Sequence, residues 1–569
     1  MTDIRRTILW VVFTMSLVLL WDGWQRHNGH PSMFGPAPAK TASAPGTPAS
    51  AVPGATLPAS GASAPAAVAA ADAASAPAPV KSELVTVTTD VVKATLDTRG
   101  GALVRVELLK HADDKDPSGH VVVLDPLRSY SAQTALRNVP GAPTHQTVLT
   151  LVDGPRELKD GADTLTVRLE SPPMGGVKLA KVYTFKRGDY AIDVKHEVTN
   201  VGTAPLVPEL SVWLVRDDHV DHTGPSMAPS SFTGPTVYTD QGKMQKVPFD
   251  KLKDNKADYE RRADDGWIAM VQHYFVSAWL RNEPGARAFD VSESPSKLVT
   301  LSMVTAFPTI APGATGKLEN LLYVGPQEEK RLEQLAPGLE RVKDYGMFTI
   351  LAKPLFWLMD LLHKILGNWG WAIVGVVVLL KIAFYGLNAK AYRSMAKMKA
   401  INPRIQELRE RYKDKPQQQQ QEMMRLYREE KINPLGSCLP ILLQMPVFLA
   451  LYWVLLSSVE MRGAPWVLWV HDLSRPDAFF TELWPTWLGW MHVPLGPLPL
   501  LMTATSLLQV WLNPQPTDPV QAKMMWIMPL AFSVMFFFFP AGLTLYYFVN
   551  NLLSIAQQWM INKQHGVTN

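Results

Sequence analysis

The sequence holds one cysteine, Cys438, among 569 residues. An internal disulfide and a CxxC metal or redox site are therefore excluded. Charge is also sparse. Asp, Glu, Lys and Arg make up 19% of the chain and balance to only +4, too little surplus for a nucleic-acid-binding protein of this length. Walker-type phosphate loops and dinucleotide fingerprints are missing as well. Apolar residues total 47% but are unevenly spread. Residues 35–80 are almost entirely Ala, Pro, Ser and Gly, whereas Trp, Phe, Leu and Met crowd the chain after about residue 345. A single soluble globule is excluded.

What is present reads in order. Residues 7–21 (TILWVVFTMSLVLLW) are apolar and follow Arg5 and Arg6. A signal-peptide core and a short membrane anchor both fit this length. With no small-x-small cleavage pattern close behind, an uncleaved anchor over 1–24 is favoured, its arginines cytoplasmic. Residues 25–81 form a linker. Repeated proline denies it helix and sheet, and its central 46 residues or so span roughly 35–40 Å on average.

Residues 82–335 predict an all-β domain. Alternating runs occur at Leu84–Thr88, Val91–Leu96, Ala102–Leu109, Val182–Phe185, Ala191–Val198, Leu210–Val215, Trp267–Val271 and Leu298–Val304, separated by turns such as Arg187-Gly188-Asp189. Many short strands with regular turns indicate a β-sandwich or a related antiparallel fold. His219, Asp221 and His222 lie close together without the spacing of a zinc or calcium site, so a solvated loop is expected there. Ser226 and Ser230 sit in no nucleophile elbow.

The remainder predicts a polytopic membrane protein. Residues 336–368 include an amphipathic helix at 346–366 whose polar residues Lys353, Asp360, His363 and Lys364 share a stripe, the pattern of a helix lying in the outer interface. Five spans follow near 369–389, 436–459, 495–513, 524–539 and 541–561, six with the anchor. The segment 390–435 carries twelve Lys or Arg, and the loop 460–494 only Arg462 and Arg475. The positive-inside rule puts the first in the cytoplasm and the second outside, where Trp466, Trp469, Trp484, Trp487 and Trp490 suit an aromatic belt. Both termini are then cytoplasmic, residues 25–368 are mainly periplasmic, and the membrane is a Gram-negative inner membrane. The basic segment reads as a helical hairpin, Ala391–Tyr412 and Gln417–Lys431. Met395, Met398, Ile405, Leu408 and Tyr412 form one apolar stripe, and Met423, Leu426 and Tyr427 the other. Arg393, Lys397, Lys399, Arg404, Arg409 and Arg411 are its candidate docking charges.

One charge falls inside a span. Lys381 lies about nine residues, roughly 13 Å, from the flank marked by Lys390. A lysine there costs about 2.5–3.5 kcal/mol and must face water or a partner. Tyr385 and Asn388 follow at i+4 and i+7, on the same face of a continuous helix. The last span carries Tyr547, Asn551, Ser554 and Gln558 at similar spacing, with Tyr546, Asn550 and Gln557 beside them. Gln444 lies in the third span, and Thr503, Ser506 and Gln509 in the fourth. Interhelical hydrogen bonding accounts for the Ser, Thr and Asn residues. With no Asp or Glu in these spans to pair with Lys381, a water-filled cavity is the expectation.

The runs Asn433-Pro434-Leu435-Gly436-Ser437-Cys438-Leu439-Pro440, Gln444-Met445-Pro446-Val447-Phe448 and GLTLYYFVNNLLSIAQQ over 542–558, with Ser394-Met395-Ala396-Lys397-Met398 opening the hairpin, resemble the YidC membrane insertase family over the whole chain. The resemblance implies a five-helix insertase core around a hydrophilic groove and an all-β periplasmic domain of supersandwich type. The groove position usually held by arginine is Lys381 here, a point charge in place of a bidentate fork. Substrate contacts along the third and last spans carry over to Gln444, Met445, Phe448, Tyr546 and Tyr547. Asn388, Tyr385, Gln509 and Asn551 complete the expected groove. The implied partners are nascent membrane proteins, the Sec translocon (SecYEG and SecDF) and the bilayer, with the ribosome and the signal-recognition-particle receptor as further candidates. The short segment 562–569 leaves little for ribosome contact. No cofactor, metal or catalytic residue is expected. The rival readings are a secondary transporter or channel, which would show internal repeats, and a carbohydrate-active enzyme in the periplasmic domain.

Overall fold

The computed structural model describes residues 81–564 apart from 114–115, 117, 221–230, 255, 414, 431–438, 482–493 and 514–518. The expected anchor, nearly all of the linker, Asp221, His222, Ser226, Ser230, Asn433–Cys438, Trp484, Trp487, Trp490 and the final residues lie outside this set. Two compact units share the rest, one ending at Lys343 and the other beginning at Asp344.

Period-two alternation builds the first unit. In Leu84–Thr88, Val85 and Val87 are buried between exposed neighbours. In Ala191–Asn200, Ile192, Val194, His196 and Val198 share the inward face. Such strands assemble into two nine-stranded sheets. In one, Glu209–Asp217 pairs antiparallel with Ser131–Arg137 and Leu298–Ala306. In the other, Thr315–Pro326 pairs with Phe275–Leu280 and Ala191–Asn200. Trp279 links the two sheets by donating its indole N–H to Trp213 O at 3.1 Å. Helices α1 (Phe249–Lys253) and α2 (Glu329–Leu335) are minor additions. Residues 336–343, grouped by sequence with the interfacial helix, belong to this unit. Trp267 Nε1 donates to Pro337 O at 3.0 Å. Gly338, at φ +73°, lies so close to Tyr238 that a Cβ would stand 2.3 Å from the ring.

Two ionisable side chains occupy the interior between the sheets. Lys181 and His196 are cross-strand partners, both fully buried. Lys181 Nζ donates to Gly100 O (2.6 Å), Thr134 O (2.9 Å) and Thr134 Oγ1 (2.5 Å), and Thr134 Oγ1 is 2.9 Å from His196 Nε2. Burial pushes the lysine down to about 7. Burial, and then the nearby Lys181 charge, hold His196 well below its ordinary value. The lowered lysine value fixes the sign of a pH effect. Between about pH 7 and the ordinary lysine value of 10.5, the unfolded chain binds a proton that the folded unit does not. Stability therefore rises with pH through that window, by up to about 1.4 kcal/mol per pH unit. Thermal melts of the full chain and of Lys181→Met between pH 7 and 9.5 should show a steeper rise for the unsubstituted β unit. Equal slopes would assign Lys181 an ordinary pKa.

The second unit is helical: α3 (Thr349–Leu366), α4 (Trp369–Ala383), α5 (Tyr385–Arg411), α6 (Pro416–Glu429), α7 (Leu439–Ser457), α8 (Pro497–Leu512), α9 (Pro519–Phe536) and α10 (Ala541–Gln564). Local sequence sets the boundaries. Gly367, at φ +68°, ends α3 in the left-handed conformation, and Asn368 then caps α4 by accepting from Trp371 N at 3.1 Å. Pro497 opens α8 at a position where its missing N–H costs nothing. Phe356, Met359, Ile373, Val376, Leu451, Leu455, Met502 and Leu545 form the core. The outer surface is also apolar: Ile350 (88% exposed), Ile365 (70%), Ile382 (66%), Ile527, Phe532 and Val534 all face outward. Apolar residues outside and amides inside suit a hydrocarbon solvent rather than water.

The expected continuous helix over 369–389 is corrected. The backbone leaves helical geometry at Phe384 (φ −93°, ψ 7°), and α4 and α5 meet there at a bend of 68°. Together this pair is long and apolar enough to cross a membrane. Among the described residues no single helix is. Tyr385 lies beyond the bend, is 49% exposed and does not line the recess of Lys381. The hairpin seam keeps part of the expected stripes, gaining Ile401 and leaving out Met395, Leu408 and Tyr412. Ile401 and Ile405 pack with Met398, Met423, Leu426 and Tyr427, while Met395 stays in the helical bundle.

Candidate functional site

Helix α10 presents Asn550, Asn551, Ser554, Gln557 and Gln558 on neighbouring faces, and each side chain makes a hydrogen bond to another helix or its cap, although Gln558 Oε1 is buried without a partner among the described residues. Asn551 Nδ2 donates to Ser506 Oγ at 2.9 Å. Gln558 Nε2 donates to Leu512 O (3.2 Å) and Asn513 Oδ1 (3.0 Å), so α8 is held at two levels. Gln444 of α7 donates through Nε2 to Asn550 Oδ1 at 2.8 Å. Gln557 Nε2 reaches Tyr385 O, at the α4–α5 bend, at 3.3 Å. Lys381 Nζ donates to Ser554 Oγ at 2.6 Å, and that hydroxyl donates to Asn550 O at 2.8 Å.

These helices leave an open cleft of about 280 Å³ between them. Asn388, Gln444, Met445, Phe448, Gln509, Tyr546, Tyr547 and Asn551 line it. Lys381 lies in an adjoining recess with Asn388, Gln444, Tyr546 and Asn550. Tyr385, the other expected groove residue, lines neither; it contributes its carbonyl to Gln557. The structure adds Tyr392, Met395, Asn513, Asn550 and Ser554 to the lining. Asn550 and Ser554 were visible as members of the polar stripe. Tyr392 had no signal, because only the bend carries the start of α5 past the cleft. Aromatic rings share this lining, with Phe448 edge-on to Tyr547 at 4.9 Å, and Phe536 outside the cleft backs the same ring at 4.7 Å. A lining of amides and aromatic rings can hold a segment that is part polar and part apolar.

The end of this unit where α4, α8 and α10 begin is closed by the chain around 459–481. Asn368 Nδ2 donates to Pro465 O at 2.9 Å, Ala541 N to Arg475 O at 2.7 Å and Gly542 N to Leu473 O at 2.9 Å. Asp477, almost fully buried, accepts through Oδ2 from Leu498 N (2.8 Å) at the start of α8 and from Trp469 Nε1 (3.1 Å). Gly496 makes room for it, since a Cβ there would lie 2.1 Å from the carboxyl carbon. Sequence alone gave Asp477 no role.

The basic hairpin residues stay near the surface. Arg393, Lys397 and Arg411 are exposed, and Lys399 lies on the same helix. Arg404 pairs with Glu430 at 2.7 Å across the hairpin, and Gln419 Nε2 donates to Arg409 O at 3.1 Å. Exposed pairs of this kind add little stability. His219, considered as a ligand, gives its carbonyl to Arg216.

Similarity to known proteins agrees with these features. Residues 361–567 match the family described as 60Kd inner membrane protein, and residues 84–358 match the YidC periplasmic domain. The membrane protein insertase YidC of Cupriavidus taiwanensis is 51% identical over 99% of this chain and 98% of its own. The chain belongs to the YidC family of membrane protein insertases. The YidC insertase of a Janthinobacterium species is 48% identical over the full length of both chains. A crystal structure titled as an active YidC insertase with its first transmembrane domain resolved covers 84% of this chain and 92% of its own at 19% identity, with a TM-score of 0.40. In YidC terms the β unit is the periplasmic domain of an inner-membrane protein, and the helical unit is its C-terminal region.

Asp477 offers a test of the closed end of this YidC-family unit. Asp477→Ala removes the acceptor for Leu498 N and should cost about 1–2 kcal/mol, the usual loss for a helix cap. Asp477→Asn keeps an oxygen and should cost less. Thermal unfolding of the two variants in detergent, followed by helical signal, checks the order.

Proposed function

We propose that this chain inserts nascent inner-membrane proteins, alone or with the Sec translocon, by hydrating their polar segments in the cleft between α4, α5, α7, α8 and α10. The observation that carries this reading is Lys381, the single charged side chain among the described residues lining the cleft and its recess. The anchor, the bent α4–α5 pair, α7, α8, α9 and α10 supply the six spans, the last five forming the insertase core. The β unit lies in the periplasm and both termini in the cytoplasm, an orientation supported by the basic residues of 390–435. Polar groups inside the bilayer shorten the apolar distance that a translocated segment must cross. A carboxylate about 6 Å from Lys381 gains about 2.8 kcal/mol at an effective dielectric near 20, close to the insertion cost of one aspartate. The cleft thus offsets transfer of one carboxylate without holding it tightly, and apolar segments leave sideways into lipid. No bond is made or broken, and neither cofactor nor metal is needed. The exposed basic face of the hairpin is the docking surface for the Sec translocon, the ribosome or the signal-recognition-particle receptor.

Insertion into proteoliposomes of one substrate, with its translocated tail carboxylates present or neutralised, tests the charge. Lys381→Arg should work nearly normally, Lys381→Ala should slow the acidic substrate most, and Lys381→Glu should slow it further. Equal impairment of both substrates by Lys381→Ala would remove charge pairing from the mechanism. Crosslinks from positions 381 and 547 to a stalled nascent membrane protein check that the cleft is the path.

The hairpin has its own test. Replacing Arg404, Arg409 and Arg411 with Gln, while keeping Arg393, Lys397 and Lys399 beside the membrane, should preserve orientation and lower insertion of ribosome-delivered substrates. Unchanged rates would reduce the hairpin to a topology signal.

A further inference from the structure

Lys381 does not stand free in its recess. Among the described residues its Nζ has one hydrogen-bond partner, Ser554 Oγ at 2.6 Å. The geometry of that serine is specific. Its own proton is committed to Asn550 O, one helical turn back, at 2.8 Å. The hydroxyl therefore presents lone pairs, not a proton, toward the ammonium. The Asn550 side chain is itself held by Gln444 at 2.8 Å, so the acceptor is fixed from α7 as well as from α10. Tyr392, near the start of α5, lines the same cleft as Ser554. Ser554 is buried and joins α4 to α10, while Gln557, one turn on, reaches the start of α5.

A lysine has four rotatable bonds and no rigid fork, so its ammonium goes wherever it is best solvated. Left alone at this depth, it would swing toward water and away from the cleft wall. A neutral hydroxyl holds it weakly enough to release it, because a carboxylate adds the Coulomb attraction of an opposite charge to the hydrogen bond. We propose that Ser554 is a positioning residue for Lys381: it parks the ammonium against α10 and hands it to the substrate's carboxylate. A lysine can then serve where a fork-shaped guanidinium would otherwise fix its own direction. This inference rests on the reading of Lys381 as the substrate-facing charge.

The experiment compares the full-length chain with Ser554→Ala, Ser554→Thr, Lys381→Ala and the double variant Ser554→Ala/Lys381→Ala in proteoliposomes. Each receives the substrate with an acidic tail and the same substrate with its tail neutralised. Ser554→Ala should lower insertion of the acidic substrate about threefold to tenfold, the range commanded by one hydrogen bond. The neutral substrate should change by less than about twofold. Ser554→Thr keeps the oxygen and should restore selectivity. In the Lys381→Ala background, loss of Ser554 should have no further effect on the acidic substrate. If Ser554→Ala slows both substrates alike, or adds its full effect to Lys381→Ala, Ser554 is a packing residue and the proposal falls while the charge reading stands. If Lys381→Ala itself fails to distinguish the two substrates, the charge reading falls and takes this inference with it.

Discussion

The helical unit depends on the need to satisfy amides and hydroxyls in a place without water. An unpaired amide in an apolar medium costs several kcal/mol, so the polar ladder of α10 dictates where the other helices stand. Asn551 and Gln558 claim α8, Asn550 claims α7, Gln557 claims the α4–α5 bend, and Ser554 claims Lys381. Apolar packing between helices supplies little direction when the solvent is equally apolar. The hydrogen bonds supply it, and the cleft is the space left where they bring the helices near without closing the gap.

The β unit solves a related problem differently. Its sheets bury Lys181 and His196 among apolar side chains, but backbone carbonyls of the turn at Gly100 and of Thr134 complete the arrangement. In one unit a lysine is enclosed by accepting groups, and its complete burial drives it toward neutrality in spite of them. In the other, a lysine has one hydroxyl partner and an open cleft in front of it. The same side chain is structural in the first setting and available in the second, and the difference lies in the number of acceptors around the nitrogen.

The legibility of the sequence followed from physical range. Strand alternation is local, so runs such as Leu84–Thr88 and Trp267–Val271 coincide with strands. The longest strand, Thr315–Pro326, escaped because its opening Thr-Gly-Lys reads as a turn. Lys381 stood out because one charge in an apolar run is rare. Tyr385 was misplaced because the i+4 rule assumes a continuous helix, and no proline announces the break at Phe384. Ser554 was noted within a stripe without a role, since a serine's partner is decided by a helix 173 residues away. Asp477 lay in the same blind spot, as its partner Leu498 is 21 residues on, beyond any capping pattern.

The bend at Phe384 also has a mechanical side. Helix α5 has 27 residues and is therefore about 40 Å long. Its first turns carry Asn388, Tyr392 and Met395 along the cleft, and its far end carries the basic hairpin. Such a helix is a lever pivoted beside the cleft mouth. A tilt of about 5° about Phe384 displaces the far tip by roughly 3–4 Å but moves the cleft wall by only about 0.5–1.5 Å. A partner gripping the hairpin would thus work with a long arm against a short one, trading a wide, weak motion outside for a small, forceful one at the site.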